Sequence, residues 1–162
     1  MRDDRRYLSC WFSVAAMIAV LFGVFASQAL AQLTLRGTAN PTISITTGTA
    51  GGTMTSVVNT SSSIRYTRQS VITKITVRTS CPSQAFTLQV LATSVTRGVA
   101  APAVTLTSGM AAVDFITNIP NTAGWTTATP TLQYTASATF AQGNSAELGN
   151  DVHTVTYTLQ AQ

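Results

Sequence analysis

The sequence is short of charge and of cysteine, and each shortage removes a class of protein. Only 9% of its 162 residues are charged, with Lys74 the one lysine and Glu147 the one glutamate. Such a chain lacks the clustered Lys and Arg of a nucleic-acid surface and suits a secreted protein. Of two cysteines, Cys10 lies just before an N-terminal apolar run and Cys81 stands alone. A disulfide framework needs pairs, so the fold must rest on its core. A lone Cys81 is either buried as a small apolar residue or an intermolecular link. One histidine, His153, and three carboxylates beyond residue 31 (Asp114, Glu147 and Asp151) leave little for convergent catalysis. No G-x-S-x-G segment supplies a nucleophile. The chain therefore reads as non-enzymatic, with no catalytic residue, cofactor or metal expected.

The first 31 residues read as an address. MRDDRR carries Arg2, Arg5 and Arg6, an apolar run extends from Trp11 to Phe25, and Ala29 and Ala31 give a small-x-small pattern before Gln32. This is the form of a cleaved signal peptide, with the mature domain spanning residues 32–162. An uncleaved anchor is the alternative, although spanning hydrocarbon takes ~20 apolar residues. The general secretory route fits the apolar run. Arg5-Arg6-Tyr7-Leu8 resembles a twin-arginine motif, from which Ser9 and Cys10 depart. The expected destination is the cell surface, the extracellular space or the periplasm, with membrane contact only through the segment before its removal.

What is abundant is threonine, with valine and isoleucine beside it. β-Branched residues crowd a helix and suit a pleated strand. Apolar residues recur at every second position. In TLQYTASATF, Leu132, Tyr134, Ala136, Ala138 and Phe140 share one face; in AFTLQVLAT, Phe86, Leu88, Val90 and Ala92 do. Val71, Ile75 and Val77 oppose Lys74, Thr76 and Arg78, and the last run places His153, Val155, Tyr157, Leu159 and Ala161 on one side. Shorter runs include LTLR, TISIT, SIRYT and VDFIT, separated by turn formers such as NTSSS, SCPSQ and NIPNTAG. One-sided alternation needs a second layer to cover it. The spacing predicts an all-β protein, an antiparallel immunoglobulin-like β-sandwich of seven to ten short strands in one domain, with a closed barrel as the competing architecture.

Three groups of residues qualify as contact sites. Asp151 and His153 are two apart and share a strand face, with Glu147 upstream; they suggest a surface metal or an acid–base pair, or else charges that solvate a turn. Arg65, Lys74 and Arg78, near Arg68, make a basic patch if their strands pair, suited to an anionic polysaccharide or an acidic partner; outward charge that discourages edge-to-edge aggregation is the plainer reading. Trp125, in NTAGWTTATP, either stacks on a sugar or plugs one end of the sandwich.

The terminus GNDVHTVTYTLQAQ begins at Gly149 and alternates through Val155, Tyr157 and Leu159, and the mature start RGTANPTISIT carries Leu33, Leu35, Ile43 and Ile45 around it. In this style the chain resembles secreted bacterial pilus or fimbrial subunits and related surface β-sandwiches. It lacks the second cysteine of chaperone–usher subunits and has Ala161 where they place an aromatic residue. The resemblance implies a structural, self-associating pilus- or coat-like subunit, its partners copies of itself or other envelope proteins. Association would proceed by β-strand addition, with Leu33–Ile45 as donor and the strand through Val155, Tyr157 and Leu159 as acceptor. A carbohydrate- or matrix-binding module using Trp125 and the basic residues is the alternative.

Overall fold

The computed structural model describes residues 33–46, 54–139 and 151–162. The leader expected at 1–31, together with Phe140, Glu147 and Gly149, lies outside them. The described residues contain ten strands and no helix. They run β1 (Leu33–Gly37), β2 (Val57–Thr67), β3 (Thr73–Ser80), β4 (Thr87–Thr93), β5 (Val99–Ala100), β6 (Val104–Leu106), β7 (Val113–Ile119), β8 (Thr127–Ala128), β9 (Thr131–Ser137) and β10 (Thr154–Ala161). One sheet has the order β1-β2-β9-β4-β6, with β8 on β2; the other has the order β10-β3-β7-β5. All pairings are antiparallel. Two separate sheets around one core make a sandwich, not a barrel.

The alternation of each strand becomes the inner face of its sheet. Ile64 and Tyr66 of β2, Leu132 and Tyr134 of β9, Val90 and Ala92 of β4 and Leu106 of β6 meet Ile75 and Val77 of β3 and Phe115, Ile116 and Ile119 of β7. Each fully covered Leu, Ile or Phe stabilises the fold by about 1.5–3 kcal/mol relative to exposure. Val155, Tyr157 and Leu159 of β10 pack against this cluster, half-buried. Trp125 is buried at one end, edge-on to Tyr66 at 6.3 Å between ring centres, with the Arg97 guanidinium 5.9 Å from its ring centroid.

The two ladders flanking β3 differ: one is interrupted and the other is continuous. Towards β7 the register slips twice: Ile75 faces Ile116 and Thr76 faces Asp114, so Phe115 is an extra residue. This bulge lets Phe115 and Ile116, adjacent in sequence, both turn into the core. The second slip lies between the pairs Thr73–Ile119 and Ile75–Ile116. It includes Asn118 at φ 52°, a left-handed conformation asparagine tolerates. Towards β10 the register is unbroken from Thr154–Ser80 to Ala161–Thr73. Beyond it, Gln162 donates its backbone N–H to Ile72 (3.1 Å) and exchanges two further hydrogen bonds with Asn118.

Three expectations need correction. TISIT forms no strand; residues 41–46, after Asn40-Pro41, run irregularly. Val71 is 50% exposed, since β3 starts only at Thr73. Thr76, expected on the wet face, is buried because its central strand is flanked by Thr158 and Asp114. At Gly37 (φ 78°) a Cβ would collide with the Ser61 carbonyl oxygen, so glycine alone lets β1 leave β2 there.

Phe115 sits at the bulge, fully buried and in tilted ring contact with Tyr157 at 5.4 Å. Phe115→Ala is expected to lower stability by about 3–5 kcal/mol, read from the urea midpoint followed by circular dichroism.

Candidate functional site

β1 and β10 are terminal strands of different sheets, yet their side chains border a common cleft of about 1270 Å³. Leu33 and Leu35 enter it from β1, Ile43 and Ile45 from the irregular segment after β1, and Val155 and Tyr157 from β10. Six of the seven residues expected to take part in strand exchange thus meet in one place. Leu159 is not part of this lining and packs on the core farther along β10. Within the cleft the Tyr134 and Tyr157 hydroxyls lie 2.9 Å apart, joining β9 of one sheet to β10 of the other. Burial pushes both phenols upward, and their mutual interaction pushes Tyr157 further.

Where the chain approaches β10, Asp151 and His153 are not the solvated charges of a turn. Each side chain is 8% exposed. The Asp151 carboxylate accepts the backbone N–H of Ala85 at both oxygens (3.0 Å each) and that of Phe86 at Oδ2 (2.8 Å). Hydrogen bonds to a charged acceptor are the stronger kind, and here they fix the β3–β4 connection to the start of β10. Thr79 Oγ1 lies 3.2 Å from His153 Nδ1 and donates to the Thr154 carbonyl at 3.4 Å. His153 Nε2 faces Asp151 Oδ2 at 3.9 Å. Burial lowers the imidazole pKa and the Asp151 charge partly opposes this.

Cys81 completes the group. It is buried, with 1% of its surface exposed, and forms no disulfide. Its thiol belongs to a cluster in which one ligating atom each from Cys81, Asp151 and His153 lie within 4.8 Å of one another. The surrounding loop is tied down: the Cys81 N–H donates to Ser108 Oγ (2.9 Å), the Ser108 N–H to Gln84 Oε1 (2.7 Å), and Gln84 Nε2 to the Leu106 carbonyl (2.9 Å). Sequence spacing pairs Asp151 with His153 and misses Cys81. The signal that finds it is register: antiparallel pairing of the runs TKITVRTS and TVTYTLQA sets Cys81 beside His153.

The other proposed contacts are not brought together. Arg65 lies in β2 and Lys74 and Arg78 in β3, on different sheets, so their strands do not pair. Lys74 is engaged by Asp114 at 2.8 Å. Trp125 is only 8% exposed and offers no ring face for stacking a sugar. Comparisons with protein-family models, with curated proteins and with solved structures find no match.

Asp151→Ala leaves the Ala85 and Phe86 N–H groups without their acceptor and is expected to cost about 1.5–3 kcal/mol, measured by denaturant titration. The pKa of Tyr66, whose hydroxyl donates to the Arg97 carbonyl, is pushed up to about 12 by burial. The unfolded phenol ionises near 10, so its contribution is complete below that pH and is lost as pH rises through about 12. The urea midpoint should fall above pH ~10, and less steeply in Tyr66→Phe.

Proposed function

We propose that the chain is an exported, non-enzymatic structural subunit with an immunoglobulin-like sandwich, which assembles with copies of itself at or beyond the cell envelope by β-strand addition. The observation that carries this reading is the contrast between its sheet edges. An uncovered edge presents a row of free N–H and C=O groups, and proteins that stay monomeric shorten it, charge it or interrupt it. β5 and β6 follow that rule: they span Val99–Ala100 and Val104–Leu106, with Pro102 between them. β10 breaks it. It runs from Thr154 to Ala161 without a charge, a proline or a bulge, and no neighbouring strand covers its outer side among the described residues.

The donor in this reading is Leu33–Ile45. Within one chain β1 holds β2 through the short ladder from Leu33–Tyr66 to Gly37–Ser62. In the assembly, this segment of one copy lies along β10 of the next, its backbone completing the ladder and its apolar side chains entering the cleft beside Val155 and Tyr157. Donor and acceptor are different surfaces, and such head-to-tail contacts build open filaments unless a rotation closes them into rings. Burial of Cys81 also supports a structural role, since a sealed thiol cannot reach a substrate.

Thr154 and Thr158 are exposed on β10. Lysines there charge the edge without touching the core. Wild-type protein is expected to form oligomers or filaments in negative-stain microscopy and size exclusion. Thr154→Lys/Thr158→Lys should elute as a monomer with an unchanged circular dichroism spectrum. Assembly undiminished in the double variant, or a wild type that stays monomeric at high concentration, refutes the proposal.

A further inference from the structure

We propose that Cys81, Asp151 and His153 form a binding site for one divalent cation of borderline softness, Zn²⁺ foremost, which ties the end of β3 to the start of β10. The three side chains supply sulfur, nitrogen and oxygen, the donor set that suits Zn²⁺ and that harder Mg²⁺ or Ca²⁺ does not favour. Their ligating atoms lie within 4.8 Å of one another. Zn–S and Zn–N bonds of about 2.3 and 2.0 Å require them to close by on the order of 1 Å.

The hydrogen bonding around the cluster points to a cation independently of its composition. Thr79 Oγ1 lies 3.4 Å from the Thr154 carbonyl and 3.2 Å from His153 Nδ1; when its proton goes to the carbonyl, which can only accept, the hydroxyl oxygen accepts from His153 Nδ1–H. With Nδ1 protonated, the neutral ring turns the lone pair of Nε2 towards Asp151 Oδ2, 3.9 Å away. Two acceptors then face each other in a largely buried space, beyond hydrogen-bonding distance, with a thiol beside them. A positive ion there gives Nε2 a partner and neutralises the carboxylate charge. Zinc-bound histidines use their second ring nitrogen in this way, donating it to an oxygen that fixes tautomer and orientation. Asp151 is likewise held in place by the Ala85 and Phe86 N–H groups, which leave one lone pair of its carboxylate, on Oδ1, for a metal.

On binding, the Cys81 S–H bond is replaced by an S–metal bond and the proton passes to solvent. Three protein ligands leave a fourth position for water. With Cys81 at 1% exposure the site has no room for a substrate on the sulfur side, so the ion serves architecture. This inference stands apart from the assembly of subunits: a chain that binds no metal can still add strands, and one that binds it can remain monomeric.

The test uses purified chain, stripped with chelator and titrated with Co²⁺ under reducing conditions. The expected result is one Co²⁺ per chain, a thiolate-to-cobalt charge-transfer band in the near ultraviolet, displacement of that band by Zn²⁺, and a higher melting temperature with Zn²⁺ present. Cys81→Ala should abolish the band. His153→Gln and the positioning change Thr79→Val should each weaken binding at least about tenfold, with circular dichroism confirming the fold. Absence of the band in wild-type protein overturns the proposal whatever the variants do. So does a band or affinity unchanged in Cys81→Ala.

Discussion

The unbroken ladder between β3 and β10 is the constraint on which the rest of the molecule depends. It carries the final strand onto its sheet over the full length from Thr154 to Ala161. Because side chains alternate with a period of two, a slip by one residue would turn Val155, Tyr157 and Leu159 from the core to solvent. The same slip would part Tyr157 from Tyr134, withdraw Asp151 from the Ala85 and Phe86 N–H groups and move His153 away from Thr79 and Cys81. Cleft, carboxylate clamp and thiol cluster are all consequences of one register. Asp151 at one end of β10 and Gln162 at the other keep it from sliding.

Most of the sheet structure was legible because threonine-rich alternation leaves a strand only one way to face. β4 and β9 bury the apolar residues that parity selects: Val90 and Ala92, Leu132 and Tyr134. Parity failed where the backbone departs from regular pairing. Phe115 and Ile116 are neighbours and both buried, which only a bulge allows. TISIT has the composition of a strand but no partner, and composition alone does not create one. Thr76 is covered by adjacent strands rather than by the core, an effect of its position in the sheet that a single strand does not announce.

The site was half legible for a related reason. Asp151 and His153 are two residues apart, so strand geometry alone puts them together. Cys81 joins them through long-range pairing, which depends on which strands become neighbours. Sheet membership likewise separates Arg65 from Lys74 and Arg78: the charges are plain in the sequence, but the assignment of β2 and β3 to different sheets is not. Trp125 and Tyr66 show the converse. An aromatic residue in a turn-rich stretch proves to be packing, because a sandwich with few large side chains must close its ends with those it has.

The contacts of Gln162 bear on how firmly the far end of β10 is held. Its main-chain N–H extends the last ladder, and its carboxamide closes a reciprocal pair with Asn118: the Asn118 N–H reaches Oε1 at 2.7 Å, and Nε2 reaches Asn118 Oδ1 at 3.0 Å. Breaking these three bonds frees the far end of β10 to fray, because the paired ladder itself stops at Ala161 and Thr73.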